Sequence, residues 1–134
     1  MNHKMISILL VEDSESQRAE YVAMLNECCF TKISTACNGV EALKILSTLL
    51  GSPGEIKMIL TDYEMPQMDG LEFLKVLRQS AATAQVPVVY MSSKGDFGVV
   101  TEFIKAKVSQ MIVKPIKKDE LLARLTEAWK KHNS

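Results

Sequence analysis

Acidic residues stand directly after two apolar runs of this sequence. Glu12 and Asp13 follow the run ILLV, and Asp62 follows a second run, KMILT. Ser92 and Lys114 occupy the same kind of position after two later apolar runs. Carboxylates that lie side by side raise one another's pKa unless a cation neutralises them. If the fold brings these positions together, the sequence predicts a site where oxygen ligands bind a cation.

The residue types also predict which ion and which chemistry the site would support. An all-oxygen site with few protein ligands suits Mg²⁺, which retains bound water and often shares a phosphate oxygen. Lys114 adds a positive charge and Ser92 adds a hydroxyl donor. A metal ion, an ammonium and a hydroxyl that face one aspartate, Asp62, are the components of a site that holds a phosphoryl group.

Five short runs rich in apolar and β-branched residues predict the strands that would position this site. They cover residues 5–11, 32–36, 57–61, 86–91 and 109–113. Segments with apolar residues at helical spacing follow each of them, and Ser14 and Asp69 are the predicted N-caps of the first and third helices. The stripe predicted for the fourth helix consists of Phe97, Val100, Phe103 and Ile104.

This alternation of strands and helices predicts the α/β fold class. Strands that alternate with helices form a parallel sheet with right-handed crossovers and helices on both faces. In such sheets a functional site lies at the carboxyl ends of the strands. We therefore expect the acids, the serine and the lysine to meet in one crevice.

The overall composition argues against several classes of protein. Sixteen basic residues balance sixteen acidic ones, so no net field favours nucleic acid or an anionic membrane. No apolar run approaches the roughly 18 residues of a membrane span. We expect a cytoplasmic protein with its three cysteines reduced. The two histidines, His3 and His132, lie near the chain's ends, which argues against a histidine-dependent triad.

Four segments of the sequence resemble a known family. They are ILLVEDS (8–14), ILTDYEMPQMDG (59–70), VVYMSS (88–93) and VKP (113–115). They resemble the receiver domain of bacterial two-component response regulators, in particular the single-domain chemotaxis type. The resemblance implies one receiver domain over residues 1–134, with a core from about Ile6 to Trp129. It also implies a doubly wound, flavodoxin-like parallel sheet of five strands in the order 2-1-3-4-5, with five helices on its two faces.

The resemblance implies a role for each acidic residue. Asp62 would receive a phosphoryl group from the phosphohistidine of a histidine kinase or a histidine phosphotransfer protein. Asp13 would bind Mg²⁺ directly, and Glu12 would act mainly through bound water. The backbone carbonyl of Glu64 would complete the protein's metal ligands. Mg²⁺ is therefore the expected cofactor.

Further residues would act on the phosphoryl group itself. Ser92 takes the place of the family's switch hydroxyl and Lys114 that of its phosphoryl-contacting lysine, with a cis peptide between Lys114 and Pro115. In the receiver architecture Glu64 and Lys94 would flank the path of water to the phosphorus atom. Paired across that path, these two side chains would slow self-dephosphorylation.

One position departs from the family pattern. Met111, three residues before Lys114, stands where the family usually has an aromatic ring that moves inward with the switch hydroxyl. The methionine argues against a signal carried by ring movement at this position. Tyr90, on the neighbouring predicted strand, is a candidate for part of that role.

Two functions are consistent with these observations. The first is a phosphorylation-controlled signalling module that presents the fourth helix, fifth strand and fifth helix to an unidentified downstream protein. The alternative is a phosphotransfer intermediate or phosphate sink without its own output partner. In neither case do we expect direct contact with nucleic acid or a membrane.

Enzymatic alternatives find less support in the sequence. A metal-dependent phosphatase would share the nucleophile and an acid two residues later, but the rest of its motif is missing. Flavin binding lacks a hydroxyl-rich phosphate loop after the first strand. We expect no activity beyond self-phosphorylation from a phosphodonor and self-dephosphorylation. The lysine-rich ending WKKHNS favours a stand-alone protein.

Overall fold

Five β-strands alternate with α-helices in the computed structural model, which describes residues 1–65, 67–93 and 106–133. The strands are β1 (Ser7–Val11), β2 (Lys32–Ala36), β3 (Met58–Asp62), β4 (Val88–Ser92) and β5 (Gln110–Val113). The helices are α1 (Glu15–Glu27), α2 (Gly39–Leu49), α3 (Gly70–Gln79) and α4 (Lys118–Asn133), with a short 3₁₀ helix at His3–Met5. Each strand begins and ends within two residues of its predicted run.

The strands form one parallel sheet in the order β2-β1-β3-β4-β5. This order confirms the predicted flavodoxin-like fold. The register sets Asp62 beside Met91 and Ser92 beside Val113, so the ends of β3, β4 and β5 lie along one edge of the sheet. The fourth predicted helix lies outside the described residues, and α4 corresponds to the fifth.

Alternate residues of the central strands pack into two separate cores. β1 places Ile8 and Leu10 in one core and Leu9 and Val11 in the other, all fully buried. Helices α1 and α4 cover the first core, and α2 and α3 cover the second. Their fully buried side chains are Leu25, Leu121 and Leu125 in the first core and Ala42, Phe73 and Leu74 in the second. Burial on both faces explains why these strands are apolar throughout.

Polar caps fix the points where the helices begin. Ser14 and Asp69, the predicted caps of α1 and α3, each accept the backbone N–H three residues later, at 3.3 and 2.9 Å. Asn38 caps α2 in the same way at 2.8 Å. The N–H of Ser14 donates to Oε1 of Glu12 at 3.1 Å, so the start of α1 also holds an acid of the predicted site. The caps therefore connect helix geometry to the loops that carry the acids.

The structure also describes the cysteines and the lengths of the helices. Cys28, Cys29 and Cys37 all have free thiols, the first buried, the second exposed and the third half-buried. None of the helices within the described ranges combines the length and the apolar character needed to cross a membrane.

Candidate functional site

The carboxyl ends of four strands form one edge of the sheet. Glu12 and Asp13 follow β1, Asp62 and Ser92 are the last residues of β3 and β4, and Lys114 follows β5. Because parallel strands end on the same side, the five positions that the sequence singled out lie along one edge. The second strand, β2, ends beside β1 at Ala36 and adds no acid to this edge.

Three carboxylates form the centre of this edge. One oxygen from each of Glu12, Asp13 and Asp62 lies within 4.8 Å of the other two. Glu12 and Asp62 are buried, with 1% and 5% of their surface exposed, whereas Asp13 is exposed. The cluster therefore has two buried acids and one acid that solvent reaches.

Glu12 is in the least favourable environment for a negative charge. Burial first, and then the facing carboxylate of Asp62, raise the pKa of Glu12 to about 8. Its Oε1 accepts the N–H of Ser14, but its Oε2 is buried and has no hydrogen-bond partner among the described residues. A buried polar atom without a partner costs about 1–3 kcal/mol. A ligand that brings positive charge or a hydrogen-bond donor to this oxygen would remove that cost.

Lys114 brings a positive charge to the same carboxylates. Its Nζ donates to Oδ2 of Asp62 at 2.7 Å and lies 3.5 Å from Oε1 of Gln17. Burial disfavours the charged ammonium, but the hydrogen bond with Asp62 and the negative charge of Asp62 outweigh it and raise the pKa of Lys114. The other oxygen of Asp62, Oδ1, accepts the N–H of Glu64 at 3.4 Å. Both oxygens of Asp62 are therefore held in a defined orientation.

The arrangement of these residues agrees with one protein family. The family described as the response regulator receiver domain matches residues 8–126, which include every residue of the edge described above. The chain belongs to this family. The predicted resemblance is thus confirmed over most of the sequence, and the carboxyl edge of the sheet lies entirely within the matching region.

Relatives of this receiver domain differ greatly in length. The two-component response regulator ORR11 of Oryza sativa subsp. indica is 32% identical over 114 residues, which cover 85% of this chain and 74% of that protein. The two-component response regulator-like protein PRR73 of the same rice is 30% identical over 131 residues, which cover 98% of this chain. The chain spans only 17% of the length of PRR73, so a receiver domain of this kind also occurs within much longer proteins.

Solved structures of receiver domains share the fold. The chemotaxis response regulator CheY4 of Vibrio cholerae superposes with a TM-score of 0.81 at 26% identity, covering 92% of this chain and 98% of that one. The receiver domain of the sensor histidine kinase PA1611 from Pseudomonas aeruginosa PAO1 superposes with a TM-score of 0.80 at 22% identity, covering 93% and 98%. That structure has a magnesium ion coordinated in its active-site cleft.

Tyr90 connects strand β4 to the loop that follows Asp62 in this receiver domain. The ring is fully buried, and its hydroxyl donates to the carbonyl of Gly70, the first residue of α3. A Cβ at Gly70 would lie 2.6 Å from the Tyr90 ring, so only glycine permits this approach. Met111 lies beside Tyr90 across β4 and β5 and packs partly buried against the same core. The structure thus links Tyr90 to the site loop, and its role in signalling stays a prediction.

Three predicted roles concern positions that the geometry only partly describes. Ser92 is buried at the end of β4, beside the end of β3, and its contact with the phosphoryl group stays a prediction. The side chain of Glu64 is exposed, and its backbone carbonyl stays a predicted metal ligand. Lys94 lies outside the described residues. The Lys114–Pro115 peptide is cis, as predicted.

Two residues of α1 contact the site but were not predicted to do so. The side-chain oxygen of Gln17 lies near the ammonium of Lys114, 97 positions later in the chain. Arg18 donates to the backbone carbonyl of Glu12 at 2.9 Å and lies 3.7 Å from the thiol of Cys37. Both are polar residues in the first turns of a helix that follows an acidic pair. That position could have suggested them, but only the packing of α1 shows which atoms they reach.

Proposed function

We propose that this receiver domain accepts a phosphoryl group on Asp62 with Mg²⁺ as its cofactor, and that phosphorylation controls its binding to a downstream protein. One observation carries the proposal. Asp62 lies between the ammonium of Lys114, at 2.7 Å, and two further carboxylates that approach within 4.8 Å. A carboxylate held between a fixed positive charge and a cation site is positioned to receive a group that carries negative charge.

The residues of the acidic cluster fit Mg²⁺. All their donor atoms are oxygens, and Mg²⁺ prefers oxygen ligands and keeps several waters. We assign Asp13, Asp62 and the backbone carbonyl of Glu64 as direct ligands. Oε2 of Glu12, which has no hydrogen-bond partner within residues 1–65, 67–93 and 106–133, would accept a hydrogen bond from a metal-bound water. When bound, Mg²⁺ would supply positive charge to the carboxylates and to the phosphoryl oxygens.

The donor of the phosphoryl group would be a phosphohistidine of a histidine kinase or a histidine phosphotransfer protein. A carboxylate oxygen of Asp62 attacks the phosphorus atom, and the P–O bond forms as the P–N bond breaks. The donor imidazole keeps the electron pair of the P–N bond and later takes a proton from solvent. Lys114, already hydrogen-bonded to Asp62, is placed to balance the charge of the arriving phosphoryl group. The hydroxyl of Ser92 would donate to one of its oxygens.

The proposed binding of a downstream protein depends on the two elements that flank Lys114 in the chain, β5 and α4. Strand β5 is an edge strand, and Val113 at its end exposes 49% of its surface. Because Lys114 directly follows β5 and precedes α4, a movement of Lys114 toward a phosphoryl group would act on both elements. We propose that β5 and α4 form part of the partner-binding surface of one domain over residues 1–134, acting in the cytoplasm.

Phosphorylation by a small phosphodonor tests the acceptor assignment. The protein is incubated with acetyl phosphate and Mg²⁺ and examined by mass spectrometry of the intact chain. We expect one added phosphoryl group on the wild type, none on Asp62→Asn and none after Mg²⁺ is chelated. Asp69→Asn is the matched control, because asparagine retains the helix cap and should leave phosphorylation unchanged. A phosphoryl group retained by Asp62→Asn would show that another residue is the acceptor.

A further inference from the structure

A second group of charged residues lines a cleft at the opposite end of the sheet from the acidic cluster, where the amino ends of β4 and β5 lie. The cleft has a volume of about 320 Å³ and lies between α3, the segments that precede β4 and β5, and the end of α4. Its charged or titratable lining residues are Lys75, Arg78, Lys107 and His132. None of the other described residues that line this cleft is acidic. The cleft therefore has a concentrated positive charge in a chain whose formal net charge is zero.

Carboxylates of the described residues form no ion pair with the positive groups of the cleft. Among the described residues, Lys75, Arg78 and Lys107 take part in no ion pair. Arg78 uses Nε and Nη1 on backbone carbonyls, the shortest of these bonds being to Val86 at 2.8 Å. Its Nη2 makes a single long contact, 3.5 Å to Oγ of Ser109. Hydrogen bonds from Nε and Nη1 thus hold the guanidinium in place, and the contact of Nη2 is the longest of those described for its three nitrogens.

Neighbouring contacts fix the other side of the cleft. Nε2 of His132 lies 2.8 Å from Oγ of Ser109, and Nζ of Lys131 donates to the carbonyl of Ser109 at 2.6 Å. Ser109 is buried and its Oγ also accepts the N–H of Val88, so the end of α4 is attached to the sheet. Burial first, and then the positive charges of Arg78 and Lys131, lower the pKa of His132. Hydrogen bonds therefore hold the end of α4 in place beside the cleft, and the cleft carries positive charge.

We propose that this cleft binds a small molecule that carries one or two phosphate groups. A half-buried guanidinium whose Nη2 makes one long contact matches the oxygens of a phosphate, and flanking lysines add point charges. The recess has the size of a small-molecule site rather than that of an extended macromolecular surface. It lies at the amino ends of β4 and β5, whereas Asp62 and Ser92 lie at the carboxyl ends of their strands. The cleft is therefore a separate site from the acidic cluster.

Titration of the whole chain with pyrophosphate tests this site. The probe is added to ¹⁵N-labelled, metal-free protein at constant ionic strength, and amide chemical shifts are followed. We expect saturable shifts centred on Arg78, Lys107 and His132. A double variant, Lys75→Gln with Lys107→Gln, should weaken binding at least about tenfold, because each lysine removed takes away a charge that contacts the anion.

A second double variant distinguishes binding at this cleft from non-specific attraction of the anion to surface lysines. Lys32→Gln with Lys44→Gln removes the same number of exposed lysines from β2 and α2, and should change the affinity less than about twofold. Equal weakening by both double variants would overturn the site. So would shifts confined to the surroundings of Asp62 and Lys114. Citrate binding as tightly as pyrophosphate would overturn the assignment to phosphate groups.

Discussion

Charged groups have opposite surroundings at the two ends of the sheet, the acidic edge at the carboxyl ends of the strands and the basic edge at their amino ends. At the acidic edge, formed by Glu12, Asp13, Asp62 and Lys114, three carboxylates approach one another and a single lysine pairs with Asp62. At the basic edge, formed by the cleft around Arg78, the guanidinium donates to several backbone carbonyls and meets no carboxylate among the described residues. We therefore expect the charge of Arg78 to stabilise the fold, whereas the clustered charge at the acidic edge should oppose folding until a cation binds.

The chemistry of loops explains part of this difference. The segment from Thr83 to Val86 forms a turn before β4. Its carbonyl groups take no part in the backbone hydrogen bonds of a described strand or helix. Carbonyl groups that are shielded from water need donors, and Arg78 supplies donors to these part-buried carbonyls through one side chain. At the acidic edge the backbone N–H groups of Ser14 and Glu64 donate to Glu12 and Asp62, but they do not neutralise the charge. Removing a charge should therefore destabilise one edge and relieve the other.

The largest expected effect is the loss of stability when Arg78 is replaced. Arg78→Met keeps an aliphatic side chain but leaves the carbonyls of Ala84, Val86 and Lys107 without this donor. The carbonyl of Thr83 loses one of its two donors and keeps the N–H of Val86. We expect the free energy of unfolding to fall by about 2–4 kcal/mol. Urea unfolding followed by circular dichroism measures this change.

The control for Arg78 is one helical turn away. Lys75→Met removes an exposed positive charge from the same cleft and should change stability by less than about 0.5 kcal/mol. The increase in stability that Mg²⁺ gives should be the same in both variants as in the wild type, because it arises at the acidic edge. An Arg78→Met variant as stable as Lys75→Met would show that the carbonyls do not depend on the guanidinium.

The next largest effect concerns metal affinity at the acidic edge. Asp13→Ala removes a proposed direct ligand, and Glu12→Ala removes a side chain proposed to act through water. We expect Asp13→Ala to weaken Mg²⁺ binding roughly tenfold more than Glu12→Ala. Isothermal titration calorimetry is the suitable measurement, since Trp129 lies far along α4 and its fluorescence is a poor reporter. Equal losses in the two variants would refute this division of roles.

A smaller effect should appear in the pH dependence of stability without metal. Glu12 has a pKa of about 8 in the folded protein and an ordinary value of 4.5. The folded state therefore holds one more proton between these values, and stability falls as pH rises through that window. Glu12→Gln cannot lose a proton, so its stability should lack this fall and exceed that of the wild type by about 1–3 kcal/mol at pH 8.5.

Two controls accompany the pH test of Glu12. The stability curves are measured on metal-free protein, and a distant carboxylate is replaced in the same way. Glu20 is exposed on α1, and Glu20→Gln should follow the wild-type stability curve across the whole pH range. Added Mg²⁺ should stabilise the wild type but not Glu12→Gln to the same extent, because the partnerless oxygen is then gone. Parallel curves for wild type and Glu12→Gln would show that Glu12 carries no cost in the folded state.

The acidic edge was predictable from the sequence, and the basic edge was not. Each acid of the site stands at the end of a strand of distinctive composition or directly after it, and the parallel topology then brings Glu12, Asp13 and Asp62 together. Arg78 stands in a predicted helix, and nothing local shows that its side chain reaches Lys107, 29 residues later. Such a contact depends on how the loop before β4 packs. The caps show the same distinction, since Ser14 was recognised but its bond to Glu12 was not.

The smallest expected effect concerns the lifetime of the phosphoryl group and involves Glu64. The side chain of Glu64 is exposed, and the backbone N–H of Glu64 donates to Asp62, so the residue lies beside the proposed acceptor. Negative charge there should discourage attack by water on the phosphorus atom. Glu64→Ala should therefore accelerate decay of the phosphorylated protein by about 2–5-fold, the size of effect expected for an exposed charged group.

The test of Glu64 needs two further variants. One separates the charge of Glu64 from its shape, and the other removes its proposed partner, Lys94. Glu64→Gln keeps the shape and should accelerate decay as Glu64→Ala does if charge is responsible. If Glu64 and Lys94 act as a pair, Lys94→Ala should also accelerate decay, and the double variant should decay more slowly than the product of the single effects predicts. Release of phosphate from the phosphorylated protein gives each rate. The competing hypothesis is that Glu64 orients the attacking water. Slower decay in Glu64→Ala would establish that hypothesis and exclude the protective role.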